Sequence, residues 1–188
     1  MRKMAEVANV PSRVHDSLTI GLHWTTAVLV ALQFSIGKTA PLLPRGPLRV
    51  DIWSVHVLLG LVLACVVSAS VLWRIARRAR QPVGRGLLDR LAAATHLVLG
   101  ALLIIIVVLG ILDVFAHAFP LFNTWRFPKL GGTEFMHRIN AWHGLVANLV
   151  AVIACLHGSA ALFHHYVLRD GVLMRMWPGL TGARRHNG

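Results

Sequence analysis

His143 and His157 share one long apolar stretch of this 188-residue chain, and His23 and His56 lie on two others. His143 and His157 are fourteen residues apart in AWHGLVANLVAVIACLH. On a helix this spacing turns the chain by about 1,400°, so both side chains point the same way within roughly 40°, about 21 Å apart along the axis. Histidine inside lipid is costly and usually marks function. Two imidazoles at two depths of one helix therefore predict two metal centres, one near each membrane surface.

Four apolar stretches are each long enough to cross a hydrocarbon core of about 30 Å as a helix. We expect these helices at residues about 18–37, 53–74, 91–112 and 141–168, with the longest connection from about 113 to 140. Hydrophobic residues make up 56% of the chain, and the other segments are short. We predict an all-α fold, an integral membrane four-helix bundle in which residues 1–188 form a single domain.

The net charge of +12 would indicate a nucleic-acid partner in a soluble protein. Here the Lys and Arg residues follow the bias of a membrane protein instead. Thirteen of the nineteen lie in the N-terminal segment, the second connection and the C-terminal segment, and six lie in the other two connections. We therefore predict that both termini are cytoplasmic. The second connection, RIARRARQPVGRG, is expected to contact anionic membrane lipid, and no nucleic-acid partner is expected.

The flanking charges also give the histidines approximate depths. His23 and His157 each lie about 15–18 Å of helix from cytoplasmic charges. His56 and His143 each lie about 7–11 Å of helix from outer charges. Depth therefore pairs His23 with His157 and His56 with His143, which is enough for two bis-histidine haems. No carboxylate or thiolate converges at these depths, which disfavours zinc, and no C-x-x-C-H motif would attach haem covalently.

Arg74 and His96 are the candidate binding residues beside these four. His96 is shallower than His157 on the cytoplasmic side, where it could hydrogen-bond a haem propionate, contact a quinone or replace His23 as a ligand. Quinone carbonyls need hydrogen-bond donors. A predicted cytoplasmic rim of donors consists of Arg74, His96, His164 and His165. A competing outer rim consists of Trp125, Arg126, His137 and Arg138.

Together these segments resemble the prokaryotic cytochrome b561 family of di-haem membrane proteins. The similarity includes IGLHWTTAVLV, HVLLGLVLACVVSASVLWRI and THLVLGALLIIIVVLGIL, and is strongest in AWHGLVANLVAVIACLHGSAALFHHYVLRDGVLMRMWP. The resemblance implies a multi-pass protein of the bacterial inner (plasma) membrane that exchanges electrons with quinone. It also implies two non-covalent haem b groups, with iron ligands at His23, His56, His143 and His157.

One branch of this family transfers electrons from superoxide to ubiquinone, whereas other branches are longer haem-bearing anchor subunits of dehydrogenases. This compact chain resembles the stand-alone branch. The resemblance thus implies an oxidoreductase that passes electrons from a periplasmic donor, with superoxide as the candidate, to membrane quinone. Two alternatives stay open: an anchor subunit that relays electrons from a partner dehydrogenase, and a non-redox, histidine-bearing metal transport protein.

Overall fold

The computed structural model describes residues 16–77, 87–169 and 173–177. These residues form four long helices, α1 (Ser17–Thr39), α2 (Pro47–Arg77), α3 (Leu87–Ala116) and α4 (Thr133–Phe163). Each helix belongs to a segment that is long and apolar enough to cross a membrane. The predicted all-α membrane fold is therefore confirmed for the described part of the chain.

Three helices begin earlier than their apolar stretches predict, among them α3, which begins at Leu87 rather than near residue 91. α2 begins at Pro47, a residue that suits the first turn because the missing N–H of proline would be unpaired there anyway. α4 begins at Thr133 rather than near residue 141. An ion pair between Arg138 and Glu134, 2.5 Å long, supports its polar first turns. His137 and Arg138, predicted for the outer connection, therefore belong to α4, and that prediction was wrong about them.

The connection between α3 and α4 contains a small hairpin. Its strands, β1 (Pro120–Leu121) and β2 (Trp125–Arg126), pair in an antiparallel register. Phe122 and Asn123 adopt left-handed backbone angles in the turn, with φ of 46° and 56°. The segment that follows the hairpin is held at the end of α3, because the Leu130 amide donates to the Phe115 carbonyl at 3.0 Å. The longest connection is thus a folded element.

Ser54 joins this hairpin to α2. Its side chain is fully buried. The hydroxyl donates to the Val50 carbonyl at 2.8 Å and accepts a hydrogen bond from the Phe122 amide, also at 2.8 Å. The buried Ser54 hydroxyl therefore links the N-terminal part of α2 to the turn of the hairpin.

Few apolar side chains are buried among the described residues, and Val146 and Val150 of α4 are two of them. The buried cluster lies between the first three helices. Leu29, Leu63 and Val67 form its centre, and Leu103 and Val107 of α3 pack against them. Most other large apolar side chains are exposed, including a run along α3 that comprises Ile104, Ile105, Val108 and Ile111. Lipid tails solvate such side chains as well as a protein interior does, so these exposed faces are suited to contact the membrane.

The chain divides into two compact units, one formed by residues 22–155 and the other by residues 1–21 with 156–188. In the second unit, α4 continues into a wider helical turn, His164–Leu168, which ends at Arg169 with a φ of 53°. Many of the basic residues that predict cytoplasmic termini, in segments 1–15, 78–86 and 178–188, lie outside the described residues. The cytoplasmic position of the termini therefore stays a prediction.

Candidate functional site

His56 of α2 and His143 of α4 come together in the larger unit. Their ring centres are 6.4 Å apart, and the ring planes are inclined at 73°. Two imidazole nitrogens that bind one metal from opposite sides, each at about 2 Å, place their ring centres about 6 Å apart. The spacing therefore matches a metal held between the two rings, and the structure brings together the pair that depth alone predicted.

Each of the two rings also has one buried nitrogen atom without a hydrogen-bond partner in the described part of the chain. The Nδ1 atoms of His56 and His143 are both buried, and neither has a hydrogen-bond partner among the described residues. A buried polar atom left without a partner costs about 1–3 kcal/mol. Such nitrogens fit a site that is completed by a cofactor rather than by other side chains.

Two glycines leave room for the rings. A Cβ built on Gly110 of α3 would lie 3.1 Å from Cε1 of His143. A Cβ built on Gly37 of α1 would lie 3.6 Å from Cε1 of His56. Trp53 packs edge-on against His56, with ring centres 5.3 Å apart. All four helices therefore contribute a residue to the surroundings of this histidine pair.

Gln33 is a residue of this site that the sequence analysis missed. Its Nε2 donates to the backbone carbonyl of His56 at 3.0 Å, which links α1 to α2. A Cβ on Gly60 would lie 2.9 Å from that same Nε2. The sequence could have indicated Gln33, because a polar side chain within an apolar span is costly and usually has a function.

Asp113, near the outer end of α3, is a second residue that the sequence analysis missed. One carboxylate oxygen lies 3.3 Å from Nδ1 of His117. The side chains of Asn140 and His143, both from α4, are close enough to interact with this carboxyl. The carboxyl therefore lies where α3 and α4 approach each other, beside the histidine pair.

The remaining predicted ligands are not tested by these contacts. His23 lies on α1 with its ring centre 5.7 Å from that of Trp24. His157 lies on α4 in the other compact unit, so the pairing of His23 with His157 stays a prediction. His96 forms a hydrogen bond of 2.8 Å between its Nδ1 and the Ala92 carbonyl of its own helix.

The two predicted quinone rims have different surroundings. Arg74 is exposed near the end of α2, but His164 and His165 belong to the other compact unit, so the cytoplasmic rim stays a prediction. On the outer rim, Trp125 and Arg126 lie on the exposed strand β2. Arg138 of the outer rim is held by Glu134.

Within the described ranges, no three or more His, Cys, Asp or Glu side chains gather in a way that could hold a metal ion by themselves. A zinc site usually needs three or four protein ligands. Haem needs fewer, because the porphyrin supplies the equatorial nitrogens and the protein supplies the axial positions. A half-buried pair of histidines therefore fits haem iron better than a bare metal ion.

Comparison with known proteins supports the same conclusion. The profile of the prokaryotic cytochrome b561 family matches residues 14–179. A probable superoxide oxidase of Yersinia pestis is 27% identical over 178 residues, which cover 89% of this chain and 98% of that protein. Cytochrome b561 homolog 2 of Escherichia coli is 29% identical over 182 residues, or 89% of this chain and 93% of the relative.

A third relative, cytochrome b562 of Cereibacter sphaeroides, is 30% identical over 176 residues, which cover 86% of this chain and 94% of that protein. The family profile and the relatives span nearly the whole chain, including all four long helices. The chain therefore belongs to the prokaryotic cytochrome b561 family and is a membrane b-type cytochrome.

Proposed function

We propose that this protein carries two b haems and passes electrons from a periplasmic donor, with superoxide as the candidate, to membrane quinone. The observation that carries the proposal is the pair of His56 and His143, whose ring centres are 6.4 Å apart and whose buried Nδ1 atoms lack partners in the described part of the chain. Similarity to a protein named probable superoxide oxidase supports the choice of donor.

At the outer centre, His56 and His143 would supply both axial ligands. Bound haem supplies a one-electron carrier whose properties the protein tunes through its ligands and surroundings. With two histidines holding its iron, the haem would leave no place at the metal for a substrate. The donor and the quinone would therefore exchange electrons with the site without a bond to iron.

At the inner centre, His157 would be one ligand and His23 the other. His143 and His157 both lie on the uninterrupted helix α4, so that one helix would supply a ligand to each centre. On an ideal helix, a fourteen-residue spacing corresponds to about 21 Å along the axis. Electrons would then pass between the outer and inner halves of the membrane along α4.

The proposed reaction balances as two one-electron oxidations and one two-electron reduction. Two superoxide anions become two molecules of oxygen, and the quinone takes two electrons and two protons to become a quinol. Six basic residues on the outer side would attract an anionic donor. They are Lys38, Arg45, Arg49, Arg126, Lys129 and Arg138.

The decisive experiment measures superoxide-dependent reduction of ubiquinone by the purified protein, together with haem content and a reduced-minus-oxidised spectrum. We expect about two b haems per chain, and quinol formation that stops when superoxide dismutase is added. His56→Ala is the matched control, because it should lose the outer haem and the activity together.

Other outcomes would favour the alternatives. A folded, haem-supplied protein without a haem spectrum would favour the metal transport protein. If the protein contains haem, does not reduce quinone with superoxide and co-purifies with a soluble dehydrogenase, the result would favour the anchor subunit. Either result would overturn the proposal of superoxide-driven quinone reduction.

A further inference from the structure

We propose that Gln33 is a positioning residue for the outer haem ligand His56, and that Gly60 provides the space that Gln33 needs. This inference rests on the proposed function, since it gives His56 the role of an iron ligand. Gln33 would act through the backbone of His56 rather than by touching the cofactor.

The hydrogen bond has a defined direction. The His56 carbonyl can only accept, so the NH₂ group of Gln33, and not its oxygen, must face that carbonyl at 3.0 Å. Within α2 the same carbonyl is also the acceptor for the amide of the residue four positions later, which is Gly60. A carbonyl oxygen has two lone pairs, so both donors can be satisfied. Gln33 and Gly60 therefore meet at the carbonyl of His56.

Gly60 allows this meeting because it has no side chain. A Cβ at this position would lie 2.9 Å from Nε2 of Gln33, which is too close for an ordinary contact. The amide is the far end of a flexible side chain, but its bond to the His56 carbonyl fixes where it lies. A larger residue at position 60 would therefore push the amide away from its acceptor.

α1 contacts His56 at two points. The side chain of Gln33 donates to the His56 carbonyl. Gly37 lies against the His56 ring: a Cβ built on Gly37 would lie 3.6 Å from Cε1 of His56. Gln33 and Gly37 are four residues apart, so they share one face of α1. Helices in lipid lack a hydrophobic force that draws them together, and interhelical hydrogen bonds and small residues set how they pack. This face of α1 therefore fixes the rotation and height of α2 at the proposed ligand.

The amide of Gln33 also lowers the stability of the fold. Its Oε1 is buried and has no hydrogen-bond partner among the described residues. An unpaired buried acceptor destabilises the fold, whereas an apolar residue would pack against α2 without that cost. The directional bond to His56 is what glutamine offers at this position and an apolar side chain does not.

The test uses three variants. Gln33→Met keeps the length of the side chain but removes the hydrogen-bond donor. The other two are the single variant Gly60→Ala and a double variant that combines Gln33→Ala and Gly60→Ala. Thr26→Val is the matched control on α1, because the Thr26 hydroxyl donates to the Leu22 carbonyl of its own helix at 2.7 Å. The readouts are the low-spin electron paramagnetic resonance signals, the reduction potential of each haem, and thermal unfolding of the haem-free protein.

We expect Gln33→Met and Gly60→Ala each to shift the potential and the resonance signal of one haem and to leave the other haem unchanged. Thr26→Val should change none of these properties. In the Gln33→Ala background, Gly60→Ala should add little, because the amide that it displaces is already absent.

Unchanged haem signals in Gln33→Met would overturn the positioning role, even if the unfolding temperature falls. An equal effect of Gly60→Ala with and without Gln33 would overturn the role given to Gly60. A wild-type protein that binds no haem would instead overturn the proposed function. In that case the unfolding of the haem-free variants would still show whether the amide ties α1 to α2.

Discussion

His56 and His143 lie with their ring centres 6.4 Å apart, although all of α3 separates them along the chain. Edge-to-face aromatic pairs commonly show separations of about 4.5–7 Å, so distance by itself does not define a metal centre. The two buried Nδ1 atoms without partners in the described part of the chain distinguish this pair from ordinary ring packing. The ligand role of these rings is therefore best tested by removing them one at a time.

His56→Ala and His143→Ala should each remove the same haem, because each leaves one of its axial positions without a protein ligand. His23→Ala and His157→Ala should each remove the other haem. Pyridine haemochrome analysis should give about one haem per chain for every single variant and two for the wild type. If His96→Ala removes a haem and His23→Ala does not, the partner of His157 lies on α3 rather than α1.

Gly110→Ala should disturb the outer centre without removing a ligand. The new Cβ would lie 3.1 Å from Cε1 of His143, so the ring must move by a few tenths of an ångström. We expect a changed resonance signal or partial loss of one haem. Gly100→Ala on the same helix is the control, since no described atom lies within 4 Å of its Cβ position. Equal effects of both variants on the outer haem would contradict this role for Gly110.

Ser54→Ala should destabilise the protein by about 1–3 kcal/mol, because the buried amide of Phe122 loses its acceptor. Ser70→Ala is a matched control: Ser70 also donates to a carbonyl of α2, that of Val66 at 2.8 Å. Thermal unfolding in detergent should show a lower midpoint for Ser54→Ala than for Ser70→Ala. Equal midpoints would mean that the bond to the hairpin contributes nothing measurable.

Arg74→Ala should slow oxidation of the reduced haems by added quinone while both haem spectra stay intact, if the cytoplasmic rim binds the quinone. The physical reason is the loss of a donor for a quinone carbonyl. Stopped-flow spectroscopy measures the oxidation rate. An unchanged rate in Arg74→Ala, with a clear loss in Arg126→Ala, would place the quinone on the outer side. Arg138 is a poorer probe, because Glu134 already holds its guanidinium.

At the C-terminus, a fused reporter that works only in the cytoplasm should be active, and one that works only in the periplasm should be inactive. Thirteen of the nineteen Lys and Arg residues lie on the side predicted to be cytoplasmic. A fusion after the hairpin, for example at Gly131, should behave in the opposite way. If only the periplasmic reporter is active at the C-terminus, the termini are periplasmic and the predicted orientation is wrong.

The sequence by itself determined the number of spans and the all-α class, and it predicted that His56 and His143 lie at the same depth. These properties are local, since the length of an apolar stretch decides whether it crosses a membrane and spacing along a helix decides depth. Sequence missed the early start of α4 at Thr133, because the first turns are polar and exposed and lack the apolar signal of a span.

Only the tertiary structure decided which faces of the helices meet. It placed His56 beside His143, the amide of Gln33 on the carbonyl of His56, and the amide of Phe122 on the hydroxyl of Ser54. Each of these contacts joins residues that are distant in the chain. Helix rotation in lipid depends on small residues and interhelical hydrogen bonds contributed by two helices at once, and neither stretch of sequence carries that information alone.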